Sequence, residues 1–156
     1  MRSGHPQMEN IDALPLIPRA VAAISPALDA SIEIVVCIPC FRRPQHLRRT
    51  LESLAQQRTS RRYAVVMVDN DAVRSESVPV ASSFLAAGRF PGICVVEPRQ
   101  GNCQAINAAF ETALAAFPNA TSFLMIDDDE IASSDWLERM VCAAETTGAD
   151  IVGGPV

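Results

Sequence analysis

A chain of 156 residues with 13 basic residues, all arginine, against 18 acidic ones carries a formal charge of −5, and 49% of its residues are apolar and 20% charged. That is one domain or part of a larger one, too apolar and too weakly charged for a disordered segment. The acidic balance argues against a general ligand of nucleic acid, because non-specific binding to phosphate backbones rests on clustered Lys and Arg, and no apolar run approaches the roughly 20 residues that span a bilayer.

Residues 1–30 hold Pro6, Pro15, Pro18 and Pro26, with Asp12 and Asp29 interrupting the apolar positions. A signal peptide needs a basic start and an unbroken apolar core, so this stretch reads as a loosely ordered extension with one short helix around 19–24. From Ser31 the texture becomes short β-branched runs alternating with helical patterns, which is the mark of βαβ units and a mostly parallel sheet. Strands are expected at 32–38, 63–68, 93–96, 122–126 and, at the end, 150–152. Pro44 suits a first helical position, and Leu47, Leu51 and Leu54 give a helix over 44–57 one apolar stripe. Further helices are expected over 78–87, stopped by Gly88, and over 102–117, stopped by Pro118. A last helix starts after Ser133 or Ser134 as N-cap and closes at Gly148.

The five cysteines are an odd number scattered through apolar segments, unlike a disulfide framework, and fit a reducing cytoplasm. Cys37 and Cys40 form a C-x-x-C. With no second such pair, and with His5 and His46 far apart, they read as small buried hydrophobes.

In an open parallel sheet, ligands bind beyond the carboxyl ends of the strands, so the residues after each strand carry the chemistry. These are Pro39 to Pro44, Asp69-Asn70-Asp71, Glu97 to Asn102, and Asp127-Asp128-Asp129-Glu130. Four consecutive carboxylates at the end of an apolar strand repel one another at short range. Because alternate residues of an extended segment face the same way, Asp127 and Asp129 can point together while Asp128 points elsewhere. Such a pair, with open positions left for phosphate and water, suits Mg²⁺ or Mn²⁺. The bland alternative is a solvated acidic turn leading into a helix. An EF-hand is a poorer match, because Ala132 stands where its glycine belongs. Asp69 could accept hydrogen bonds from a base or ribose, or cap its own turn. The Gly101-Asn102 turn offers backbone N–H groups to an anion without a Walker lysine, and Arg42, Arg43 and Arg99 could neutralise a diphosphate.

Taken in order, Ile34 to Pro44, Val65 to Asn70, Gly101 to Ala109 and Phe123 to Glu130 followed by Asp135-Trp136-Leu137 resemble the nucleotide-sugar-binding half of a family 2 glycosyltransferase with the GT-A fold. The texture around Gly101 to Asn107 and Ile126 to Trp136 is similar to bacterial glycosyltransferases of the succinoglycan-building kind. The resemblance implies a Rossmann-like α/β domain over 31–156, with a mostly parallel sheet flanked by helices. It implies that Pro39, Phe41 and Arg43 line the nucleotide pocket and that Asp69 meets the base. The D-x-D would be Asp127 and Asp129, holding Mg²⁺ or Mn²⁺, with Asp129 the direct ligand and Asp128 or Asp127 near the ribose. Partners would be a nucleotide-sugar donor and a glycan or lipid-linked acceptor, with no nucleic acid, in the cytoplasm or at the inner face of the membrane. Two departures stand out. Ile106 replaces the arginine of many relatives, which leaves a phosphate contact missing or supplied by Arg99. The half that should carry the acceptor site and the catalytic base lies past Val156, so the chain reads as truncated at its C-terminus and no catalytic residue is assigned. Two rivals are a nucleotide-sugar-binding remnant without turnover and a receiver-type phospho-acceptor domain, which would need an acid pair after the first strand and a lysine; the chain has no lysine.

Overall fold

The computed structural model describes residues 19–26, 28 and 31–154. Its strands are β1 (Ala20–Ile24), β2 (Ile34–Cys40), β3 (Tyr63–Asp69), β4 (Gly92–Val96) and β5 (Ser122–Met125), and its helices are α1 (Pro44–Leu54), α2 (Ser77–Ala86), α3 (Asn102–Ala116) and α4 (Trp136–Thr147). One sheet takes the order β1-β4-β3-β2-β5. All pairs are parallel except β1 with β4, so the expected α/β class and mostly parallel sheet hold.

All seven residues of β2 are buried, because helices cover both faces of the sheet at its centre. Ile34, Val36, Ile38 and Cys40 face one way, against Leu47, Leu51 and Leu54 of α1, Val80, Ala81 and Leu85 of α2 and Leu137 and Val141 of α4. Val35 and Cys37 face the other way, with Val66 and Val68 of β3, against Ala105, Ala108, Ala109 and Ala113 of α3. The three α1 leucines are fully buried, and removing each from water stabilises the fold by roughly 1.5–3 kcal/mol. Where β4 starts, a Cβ on Gly92 would run into the Val65 carbonyl, so only glycine lets the two strands close at that point.

Several expectations move. β2 runs two residues further than expected, because its ladder with β3 continues to Cys40 opposite Asp69. Residues 20–24 form an edge strand, not a helix: they pair antiparallel with β4, and Arg19 at the strand's entry reaches Glu97 at 2.7 Å and Glu111 at 2.6 Å. Residues 1–18 of the expected extension lie outside the described residues. The terminal strand at 150–152 is absent. That segment pairs with no described strand and Ile151 is 91% exposed, and a strand without a ladder has nothing to fix it. Helix α4 starts at Trp136 with Asp135 as N-cap and no side-chain capping bond of its own. Its orphan Leu137 N–H instead donates to Gln57 Oε1 at 2.9 Å. Gly148 closes α4 in the left-handed conformation, as expected.

Candidate functional site

Strand order reverses beside β2, whose neighbours are β3 and β5, and a crevice opens there beyond the carboxyl ends of the strands. Its position follows from local chemistry. The last β2–β5 contact is Ile126 N–H to the Cys37 carbonyl. Residues 37 and 39 turn the same backbone side to β5, but Pro39 has no N–H to give it, and the strands part. A cleft of about 620 Å³ fills the gap, lined by Pro39 to Arg43, Asn70, Gln100 to Asn102, Ala105 and Asp127 to Asp129.

The acid run alternates in exposure as expected, but as a turn closed by Glu130 N–H on the Asp127 carbonyl and not as an extended segment. Asp127 and Asp129 are exposed and Asp128 is buried. Asp128 accepts from the Phe41 N–H at 3.0 Å, which ties the turn to the end of β2. Burial pushes its carboxyl up, against the Phe41 bond and the nearby Arg43 charge. Arg43, the N-cap residue of α1, bonds Asp129 and lies 3.4 Å from Asp128, so a guanidinium supplies the counter-charge that the crowded carboxylates require. Asp127 has no side-chain partner among the described residues; its backbone N–H donates to Glu130 at 2.9 Å. No group of three His, Cys, Asp or Glu side chains converges on a metal position among the described residues. The pair nevertheless fits a hard cation that keeps water and phosphate in its shell, since one carboxylate is open and the other is held by a half-exposed arginine.

Asp69 stands beside the cleft and does not line it. It is 1% exposed, and its two oxygens accept from the N–H groups of Asp71 and Ser77, both at 2.9 Å. It thus caps its own turn and places a negative charge at the start of α2. Asn70 is what enters the cleft. Its amide donates to the carbonyls of Glu97 at 3.0 Å and Arg99 at 2.8 Å and accepts from Gly101 N–H at 2.7 Å. It therefore fixes the opposite wall, where Gly101 holds φ 146°, a conformation open in practice only to glycine. Next to Gly101, the first N–H groups of the 15-residue α3 have no intrahelical acceptor and favour an anion.

Pro39, Phe41, Arg43, Asp127, Asp128 and Asp129 are thus brought together, and Asp69 is not among the lining residues. Arg42 lies at the mouth in the left-handed region, at φ 55°. It stacks 4.7 Å over Phe41 and pairs with Asp71 at 2.6 Å, and that bond holds the Asp71 carboxyl below its usual range. Arg99 is spent on Glu97 and does not line the cleft. The sequence places Asn70 at a strand end but does not show its role, and it gives no sign of Thr50, because the bonds that matter run from Asn70 to residues 27 to 31 positions away and from Thr50 to the carbonyls of Asp128 and Glu130. Cys37 and Cys40 face opposite sides of the sheet and form no pair; burial pushes the Cys37 thiol up to about 12 and Cys40 well above its ordinary value.

The chain is 35% identical over 127 residues to the succinoglycan biosynthesis protein ExoM of Rhizobium meliloti, covering 80% of this chain and 38% of that one. It is 27% identical over 124 residues to the glycosyltransferase AglE of Haloferax volcanii, covering 79% and 39%. It therefore spans under half the length of the curated relatives it matches. Among solved structures, its fold is similar to S. aureus TarS in complex with UDP, with a TM-score of 0.62, 16% identity and 80% of this chain against 38% of that one. It is also similar to the mannosyltransferase PcManGT of Pyrobaculum calidifontis in complex with GDP-Man and Mn²⁺, with a TM-score of 0.51, 23% identity and coverage of 81% and 35%. At those identities the two structures speak for the fold alone. The family model for glycosyl transferase family 2 matches residues 35–156, a span that holds every residue lining the cleft, and the chain belongs to that family.

Proposed function

We propose that this chain forms the donor-binding portion of a glycosyltransferase that moves a sugar from a nucleotide-sugar onto a glycan or lipid-linked acceptor in polysaccharide synthesis. The observation that carries this reading is the cleft itself, in which an acidic turn, an arginine and a glycine-kinked helix N-terminus face one another at the switch point of the sheet. Phe41 and Arg42 present a half-exposed aromatic and cationic surface for a base. Asn70 holds the wall beneath Gly101, and the amides at the start of α3 meet phosphate oxygens. Asp127 and Asp129 are the residues to hold Mg²⁺ or Mn²⁺, which when bound supplies Lewis-acid stabilisation to the departing nucleoside diphosphate. Arg43 pairs with Asp129 and lies beside Asp128, and it lines the same cleft, within reach of the diphosphate.

Transfer is proposed to invert the anomeric carbon, with a carboxylate base that takes the acceptor proton and contributes about 10²–10⁴-fold. Glu130 and Asp135 stay on the donor side, Glu130 bonded to Asp127 N–H and Asp135 to Ser133 and Arg139, and neither is assigned as that base. A second reading, donor binding without turnover by these residues alone, is favoured by that commitment of the nearby acids. No described helix is long and apolar enough to cross a membrane, and a lipid-linked acceptor would be met from the periphery of the inner face.

Calorimetric titration with UDP and GDP in Mn²⁺ and in EDTA tests the site. Affinity at least about tenfold tighter with Mn²⁺, about 1.4 kcal/mol, is expected for the preferred nucleotide, and equal affinity in EDTA would sink the metal assignment. Donor consumption with a panel of acceptors separates transfer from binding alone.

A further inference from the structure

We propose that Thr50, in the middle of α1, is the positioning residue for the Asp129 carboxylate, an inference that rests on the metal site proposed above. Its side chain is fully buried. The hydroxyl lies 3.3 Å from the carbonyl of His46 in its own helix, 3.0 Å from that of Asp128 and 2.7 Å from that of Glu130. A helical threonine ordinarily donates to the carbonyl four residues back. Here that contact is the longest of the three, and hydroxyl hydrogen bonds centre near 2.7–2.8 Å, so the proton is committed to the acidic turn.

The two carbonyls it reaches stand on either side of Asp129. The turn's own closing bond, Glu130 N–H to the Asp127 carbonyl, is long at 3.3 Å, and a bond of that length restrains weakly. The turn is therefore held from beneath by Thr50 and from the side by the Asp128 bond to Phe41. Arg43, which pairs with Asp129, precedes the first residue of the same helix. One rigid element thus fixes both the peptide frame and the present counter-charge of the proposed metal ligand. Further along α1 and just past its end, polar contacts to the same segment continue, but away from the cleft. Ser53 accepts from Ala132 N–H at 3.0 Å, and Gln57 donates to the Ser133 carbonyl at 2.7 Å.

The test uses the chain and Mn²⁺ alone, with the loss of the free-ion paramagnetic resonance signal as the readout of binding. Thr50→Val keeps the shape and removes the donor, and it should raise the Mn²⁺ half-saturation about 10- to 100-fold, the usual cost of losing a residue that orients a metal ligand. Thr50→Ser should restore it. Ser53→Ala, on the same helix but away from Asp129, should lower the melting temperature and leave Mn²⁺ uptake unchanged, which a merely structural role for Thr50 would mimic. If Thr50→Val does not fold, Thr50→Ala carries the test, since alanine favours the helix and offers no donor. Wild-type Mn²⁺ affinity in a folded variant that lacks the hydroxyl overturns the inference and leaves the metal site standing. Absence of Mn²⁺ uptake by the wild type overturns the metal site, and the inference with it.

Discussion

Glu97 offers the sharpest test of the energetics, because it is a carboxylate at 0% exposure in the centre of a charge network. Burial alone pushes its carboxyl up. Bonds from the Arg99 guanidinium and N–H, and then from Arg19, outweigh burial and hold it at about 2 against an ordinary 4.5. That lowering corresponds to about 3 kcal/mol of favourable interaction with the ionised form. Arg99 is 46% exposed, so screening reduces the expected value to about 2 kcal/mol. In Glu97→Gln, Arg19 keeps only its ion pair with Glu111, and β1 keeps its ladder with β4 but loses the buried ion pair at its entry. Because the folded carboxyl is depressed, its contribution is fully present above about pH 4.5 and disappears as pH falls toward about 2. Urea unfolding should therefore show the variant about 2 kcal/mol less stable at pH 7 with an unchanged m-value, and the gap should narrow when the pair is compared near pH 3. Equal stability at pH 7, or a gap that does not shrink in acid, would show that the buried Glu97 network does not stabilise the fold.

Leu51 is fully buried between α1 and the sheet, and Leu51→Ala should cost about 2–5 kcal/mol in the same assay. Gly101→Ala places a side chain at φ 146° and should cost about 1–3 kcal/mol of strain while weakening nucleotide binding through the displaced wall, as calorimetry can check. Only Cys103 and Cys142 are exposed, so a thiol reagent should titrate two groups in the native chain and all five in denaturant.

Elements whose stabilisation is local were legible in the sequence. Pro44 followed by leucines at spacings of four and three is α1, and Gly148 closes α4 where it should. β1 was not legible, because an alanine-rich run such as Ala20 to Ile24 owes its conformation to β4, whose partner residues run from Ile93 to Val96, and to Arg19 on Glu97. The opposite error at 150–152 has the same root: an apolar triplet reads as a strand whether or not a neighbour is present to pair with it. At the site, residue type placed the acids at the end of β5, but the extended alternation expected of them is not what exposes Asp127 and Asp129: the run is a turn, in which the Phe41 N–H draws Asp128 inward. The division of labour between Asp69 and Asn70 was not readable. Asp69 ends β3 and Asn70 follows it, and only the geometry shows one carboxylate satisfied by its own turn and the neighbouring amide turned to the opposite wall.

The cleft's role as a donor site is tested by a ¹⁵N-resolved NMR titration of the chain with Mn²⁺ and its preferred nucleoside diphosphate, read as paramagnetic broadening of backbone amides. Broadening should centre on Asp127 to Asp129, extend to Phe41, Asn70 and the Gly101-Asn102 turn, and be lost in Asp129→Ala. Broadening centred elsewhere, or undiminished in Asp129→Ala, would contradict the assignment of the cleft as the donor site.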